Sequence, residues 1–428
     1  MTRPVSWPRS LAPLRHRRYA ALWIGAFASN VGTWMETVGV GILVTSQTGQ
    51  AGWAGIVAAA AFVPNALFGP LGGALADRLP RRRLILATTT VQTALAATLA
   101  ALAAVGDARP WAVTLIVFTS GCANALGLPS YQALMPDLVP REDLTGAVAL
   151  GSAQWNLGRV IGPALAGVAI AAGGYGLAFA INTVSFLAVI AAVAPLRLPP
   201  PTPVPGESIR RSITSGARFA WDDRGIRAII VYLAGNSLLA APFIALVPAV
   251  ALRVFHEGAA GTAVLVTAQG LGAVAMALLL GGLAYRFGQR RTLLANLALL
   301  PAALVAYAAA PTLALAAVAI FAVGATYLGC LSSFTTIAQL RAPPELRGRV
   351  LSALIVLLGL LYPLGSIVQG ALADTFGLRA VTAATAVLLA ALVLAVRALR
   401  RGFDRELDDV MPRAASLAVA GAVAPGGA

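Results

Sequence analysis

Two ionisable residues stand deep inside long apolar runs. Glu36 lies about 17 residues into the run that begins near Tyr19, and Arg159 about 14 into the run that begins near Leu144. At ~1.5 Å per helical residue these depths are roughly 25 and 21 Å. On insertion scales a charge at mid-bilayer costs at least ~2.5–3.5 kcal/mol, and more against lipid. Such residues persist where they pair or where both face a wet cavity. A carboxylate in that position can take up and release a proton, and a paired guanidinium would control the exchange. Proton coupling through Glu36 and Arg159 is therefore one expectation. A fixed structural ion pair is the other.

A second charged feature lies between two apolar runs. Residues 69–83 read GPLGGALADRLPRRR, placing Asp77 beside Arg78, Arg81, Arg82 and Arg83. A short basic hairpin of this kind marks a loop on the cytoplasmic membrane face. The pattern returns near 281 as GGLAYRFGQRR, with Gly73, Leu75, Arg78 and Arg82 aligning with Gly281, Leu283, Arg286 and Arg290 at one offset of 208 residues. Tyr285 stands where the first copy has its acid, so a charge latch is expected only from Asp77. That acid can pair with an arginine or cap a helix N-terminus, whose dipole attracts an anion. Cys122 and Cys330 share the offset, lie within apolar runs, and are expected to be buried thiols. A nested echo, GGALADRL at 72–79 and QGALADTF at 369–376, suggests a further repeat within each half.

Polar residues also fall on helix faces. Ser29, Thr33 and Glu36 sit at i, i+4 and i+7. Asn124 and Tyr131 share a face, Asn236 stands in a later run, and Tyr327 and Phe334 share a face with Ser333 and Thr336 beside it. Each could line a cavity or simply join two helices. Gly158, Gly162, Pro163 and Gly167 carry the spacing G-xxx-GP-xxx-G, in which small residues allow close helix approach and the proline permits a kink.

The elements that must hold these residues follow from composition. The chain has 428 residues, 59% hydrophobic and 11% charged. A soluble protein carries about a quarter charged residues. A spanning helix needs about 20 mostly apolar residues, so the chain has room for roughly a dozen. Net charge is +15, carried by arginine with no lysine, in short loops at every second helix end. No basic domain exists to bind nucleic acid. Without lysine neither a P-loop nor a Schiff base can form. The two histidines, His16 and His256, lie far apart, so neither a metal nor a cofactor is expected. No cleavable signal is evident, since the first apolar run is too long for one.

Twelve helices are expected. The first six cover roughly 19–45, 51–76, 83–105, 111–135, 144–172 and 175–196; the second six cover roughly 227–250, 259–284, 291–309, 312–340, 347–373 and 378–400. Arginine placement supports the count. With Arg109, Arg253 and Arg379 in outer loops and Arg159 inside a helix, the remaining 27 of 31 fall on the cytoplasmic side, together with both termini. Residues 1–196 and 227–401 form two bundles, 197–226 form a linker with LPPPTPVPG as polyproline, and 402–428 form a disordered tail. Residues 208–227 suit a helix on the membrane surface, or a solvated loop.

On these residues the chain resembles the major facilitator superfamily over nearly its whole length. Gly73, Leu75, Asp77, Arg78, Arg81 and Arg82 match its loop signature G-x-L-a-D-r-x-G-r-[RK], with Pro80 in place of the usual Gly. Two passages, TGQAGWAGIVAAAAFVPNALFGPLGGALADR and VPREDLTGAVALGSAQWNLGRVIGPALAG, resemble the bacterial branch holding enterobactin exporters and related efflux proteins. The 158–167 glycines resemble the antiporter signature GxxxGPxxGG, with Ala166 replacing one glycine.

The resemblance implies an all-α membrane protein of twelve helices in two pseudo-symmetric bundles that open alternately. It implies that helices one and five are neighbours, so that Glu36 could meet Arg159. It implies a central cavity lined by Ser29, Thr33, Asn124, Tyr131, Asn236, Tyr327, Ser333 and Phe334, and contact between Asp77 and residues 348–352 in the outward-open state. The implied function is a monomeric, proton-coupled exporter of small amphiphilic molecules, drugs or siderophore-like metabolites, in a bacterial inner membrane. A facilitator or importer of one metabolite is the alternative. A receptor or enzyme would need a clustered catalytic set or a soluble domain, and neither is evident.

Overall fold

The computed structural model describes residues 11–196, 218–343, 346–399 and 407. They are helical, with no strand among the described residues. In chain order the helices are α1 (Arg17–Thr48), α2 (Ala51–Arg78), α3 (Arg81–Ala104), α4 (Pro110–Leu134), α5 (Leu144–Val193), α6 (Arg224–Gly235), α7 (Phe243–Arg253), α8 (Gly258–Phe287), α9 (Gln289–Ala309), α10 (Leu313–Arg341), α11 (Arg347–Phe376) and α12 (Leu378–Leu399). Local chemistry sets several ends. Gly49 closes α1 at φ 66, a left-handed conformation glycine adopts without cost. Asp223 and Thr312 cap α6 and α10 through the backbone N–H groups of Ile226 and Leu315.

By length and apolar composition, ten segments can cross a membrane. The sequence leads one to expect twelve. Two features separate the counts. First, α5 is broken at Gly173 and Gly174, the latter at φ 72. Before the break its contacts with α1 rise together: Ala147 with Tyr19, Leu150 with Trp23, Gly162 with Trp34. After it they run backwards: Phe179 with Gly39, Asn182 with Gly32, Ala188 with Gly25. The two limbs are therefore antiparallel, and each can cross separately. Second, α1 stands outside the ten; its centre carries Asn30, Thr33, Glu36 and Thr37.

The segment expected as one helix over 227–250 is also interrupted. A π-turn, Asn236–Ala240, separates α6 from α7. Pro242 has no N–H to give to the carbonyl four residues back. Gln369 of α11 supplies the missing donor, its Nε2 reaching Leu238 O at 2.9 Å and Leu239 O at 3.1 Å.

Helices α1–α5 pack among themselves, as do α6–α12, and the two groups meet mainly along α2–α11 and α5–α8. The α2–α11 seam is antiparallel: Gly52 lies by Ala371, Gly55 by Ser366, Phe62 by Tyr362 and Ala66 by Gly359. It is tight at one face and open at the other. A Cβ on Gly55 would strike Ser366 O, and one on Gly370 would come within 2.9 Å of Ala51 O. Towards the arginine-rich loops, Gly69, Gly73 and Gly348 have nothing within 4 Å of that position. The groups are thus splayed at the arginine-rich face and shut at the opposite one. Most of the expected linker (197–217) and nearly all the tail lie outside the described residues, as does half (208–217) of the surface helix expected over 208–227.

Candidate functional site

A cavity of about 750 Å³ opens within the α1–α5 group. Its walls run from Glu36 and Thr37, midway along α1, to Met135 and Leu144 at the arginine-rich face. Ser29, Thr33, Glu36, Asn124 and Tyr131 all line it. So do polar residues not singled out in the sequence, among them Asn65, Gln92 and Gln154. Asn124 Nδ2 donates to Asn65 Oδ1 at 3.3 Å. Phe62, Trp34 and Trp155 add aromatic surface. Glu36 is the one carboxylate in the lining, and no arginine is among the lining residues. Scattered amides and hydroxyls in an apolar wall suit an amphiphilic solute.

Glu36 is held by a relay from the second limb of α5. Asn182 Nδ2 donates to Glu36 Oε2 at 2.6 Å. Ser185 Oγ donates to Asn182 Oδ1 at 3.0 Å, which fixes the amide orientation. Gly32 makes this possible: a Cβ there would clash with Asn182 Oδ1 and Ser185 Oγ. The sequence reading missed Asn182 and Ser185. The available signal was an amide and a hydroxyl three residues apart within an apolar run.

Glu36 and Arg159 do not meet. The Arg159 guanidinium lies 5.7 Å from the centroid of the Trp34 ring, within cation–π range. Trp34 itself meets Trp155 edge-on at 5.6 Å. Helices α1 and α5 are neighbours, as implied, but helix geometry separates the charges. Trp34 and Glu36 are two residues apart, about 200° around the axis, so a side chain on the Trp34 face cannot reach Glu36.

The glycine series divides its work. Gly158 faces Asn30, and Gly162 faces Val31 O and Trp34 Cβ, at 2.8 and 2.6 Å from an added Cβ. Both seat α1 against α5 beside the buried Pro163. Gly167 instead faces Ala263 of α8, in the other group.

Four residues expected in a shared cavity are placed elsewhere. Asn236, Tyr327, Ser333 and Phe334 are all buried and absent from the cavity lining. Tyr327 packs edge-on against Phe243 at 5.7 Å. Asn236 lies in the π-turn, and neither atom of its side-chain amide has a hydrogen-bond partner among the described residues. Tyr327 nonetheless lies close enough to Arg159 of the first group for the two to interact electrostatically, so it sits where the two groups meet.

At the arginine-rich face, Asp77 is exposed and makes no hydrogen bond or ion pair among the described residues; Arg78 beside it is exposed too. Arg81 Nη1 donates to Ala133 O at 3.0 Å and to Asp137 Oδ2 at 2.6 Å, and Arg82 Nε donates to Ala194 O at 3.0 Å. These arginines tie the start of α3 to the ends of α4 and α5. Arg286 lies over the Phe287 ring at 5.4 Å, and Arg290 stands in the first turn of α9. Cys122 and Cys330 are both free thiols; Cys330 is buried and Cys122 half-buried.

Known proteins resemble this chain in sequence and in fold. A family model described as a transmembrane secretion effector matches residues 8–420. The multidrug efflux pump Tap of Mycolicibacterium fortuitum is 29% identical over 92% of this chain and 97% of its own. Macrolide efflux protein A of Streptococcus pyogenes is 24% identical over 85% and 91%. The enterobactin exporter EntS of Citrobacter koseri is 32% identical over 65% and 67%. Among solved structures, a bacterial homolog of the human lysosomal transporter Spinster, inward-facing and unoccupied, superposes with a TM-score of 0.72 at 16% identity, covering 94% of this chain and 99% of that one.

Proposed function

The chain belongs to the transmembrane secretion effector family of the major facilitator superfamily, multi-pass membrane transporters, and from that premise we propose that it is a proton-coupled exporter of small amphiphilic molecules, neutral or cationic. The observation that carries this reading is the cavity in the first bundle, which holds one carboxylate, Glu36, and no arginine in its lining. A single negative charge in a low-dielectric wall disfavours anions and welcomes a cationic amine. Glu36 can hold a proton or a cationic group, and one charge cannot be neutralised twice. Exchange of one for the other is antiport. The efflux names of the relatives support the outward direction.

The cycle follows from the seam. Residues 1–196 and 227–401 act as two bundles joined by 197–226, in a bacterial inner membrane with both termini cytoplasmic. With the arginine-rich face splayed, the cavity admits solute from the cytoplasm. Rocking would close that face, and the antiparallel register of α2 and α11 carries Asp77 opposite Arg347 and Gly348, where it can cap α11. Gly73, Arg78, Arg81, Arg82, Arg286 and Arg290 shape the same rim. Arg159, stacked on Trp34 near the α5–α8 seam, is positioned to change its surroundings as the seam opens.

Inverted vesicles test the proposal. Respiration acidifies their lumen, so an exporter should accumulate a cationic dye or macrolide there, and Glu36→Gln should abolish the accumulation. Accumulation that survives collapse of the proton gradient would refute the coupling. Gradient-driven uptake by right-side-out vesicles instead would refute export.

A further inference from the structure

At the face opposite the arginine-rich loops, one acid of the second bundle grips the first. Asp374, near the end of α11, accepts hydrogen bonds from the backbone N–H of Ala51 at 2.7 Å and of Gly52 at 2.9 Å, the first two residues of α2. Arg253, the last residue of α7, forms an ion pair with the same carboxylate. Gly52 leaves the space this needs, since an added Cβ would come within 3.1 Å of Asp374 Oδ2.

The helix that receives this cap has none of its own. The residue before α2, Gln50, makes no side-chain cap bond, and no acid lies in the first turn. The same is true of α11: Leu346 makes no cap bond, and its first turn holds no acid. Two helix starts on opposite faces of one seam thus lack a local partner for their N–H groups and positive dipole ends. One is served across the seam by Asp374. The other lies in register with Asp77, which is exposed and unpartnered among the described residues. The sequence echo aligns these two acids, since GGALADRL and QGALADTF place Asp77 and Asp374 at the same position.

We infer that Asp374 is the outer clasp of the transport cycle, a gating residue that fastens the outer mouth by capping α2 in trans, and that it alternates with Asp77, which fastens the inner mouth by capping α11. This rests on the alternating-access reading proposed above. Each acid is engaged in one state and released in the other, so the two bias the same equilibrium in opposite directions. Arg253 steadies the Asp374 carboxylate while it is engaged.

The test measures mouth widths by pulsed electron spin resonance in nanodiscs. In a Cys122→Ser, Cys330→Ser background, one label pair replaces Trp111 and Thr312 at the outer mouth, and another replaces Arg83 and Arg291 at the inner mouth. Asp374→Ala should lengthen the outer distance, shorten the inner one and raise the outward-open fraction ~3- to 30-fold, the range set by losing a cap and a half-buried ion pair. Asp77→Ala should move both distances the other way. The double variant should return the ratio to within about twofold of wild type, which no merely structural role for Asp374 would produce. Asp374→Glu should restore most of the wild-type ratio. Arg253→Ala should shift it in the direction of Asp374→Ala but less, because the backbone cap remains.

Should Asp374→Ala fold poorly, Asp374→Asn and Arg253→Ala carry the same readout. Unchanged distances in folded Asp374→Ala and Asp374→Asn, while Asp77→Ala still shifts them, would overturn the clasp and leave alternating access standing. Distances unmoved by every variant and by acidification would overturn both.

Discussion

Adding one methyl group at Gly55 should prop open the outer mouth. An alanine Cβ there would meet Ser366 O, with Ser366 C at 2.7 Å and Ile367 Cα at 3.2 Å. These are backbone atoms and cannot rotate aside. Carbon contacts are comfortable near 3.5–4.0 Å, so α2 and α11 must part by about 1 Å or carry the strain. Overpacking of this kind costs ~1–3 kcal/mol. The contact exists only while the outer face is shut, so the cost falls on one state. At ~1.4 kcal/mol per decade it shifts the inward-to-outward ratio by roughly 5- to 150-fold. A reporter cysteine at Ser29, in a background without Cys122 and Cys330, should then react at least about fivefold faster with an impermeant maleimide added to intact cells. Gly69→Ala supplies the control: it lies on the same helix with nothing within 4 Å of its added Cβ while the outer face is shut, so it should not speed the labelling. Unaltered labelling of Gly55→Ala at normal protein abundance would refute the claim that this close approach seals the outer face.

Glu36→Gln should cut gradient-driven uptake by inverted vesicles at least ~10-fold while leaving solute binding measurable and insensitive to pH, read by dye quenching. Arg159→Met should leave detergent Tm unchanged or higher, because a buried charge with no ionic partner among the described residues gives little to the fold, yet lower transport ~10-fold; unchanged transport would remove Arg159 from the mechanism. Gln369→Leu should lower Tm by several degrees, since Leu238 O and Leu239 O lose the donor that stands in for the absent Pro242 N–H, a loss of about 1–3 kcal/mol.

Much of the fold was legible because lipid admits only helices and closed barrels, and unbroken apolar runs of about 20 residues select the helix. Residues 51–76, expected as a helix, are found within Ala51–Arg78, and the expected turn at 173–176 coincides with the break in α5. The site was legible in part. Ser29, Thr33 and Glu36 could be assigned to one face from spacing alone, and they line the cavity together. Relations between helices were not legible, because they depend on how each helix is rotated about its axis. Adjacency of α1 and α5 suggested a Glu36–Arg159 pair, but Arg159 takes the Trp34 side and Asn182 takes Glu36. The π-turn at Asn236–Ala240 needed Gln369, 131 residues distant from Leu238 in the chain, to make sense of Pro242.

That the pocket is walled by α1–α5 alone divides labour between the bundles. On the proposed cycle, cargo would rest on one body while the other acts as a shutter swinging past it. Chemical preference would then reside in the first 196 residues, to be re-tuned there without rebuilding the hinge. Chimeras that exchange that portion between related pumps should carry substrate range with it, and keep their partner's gate.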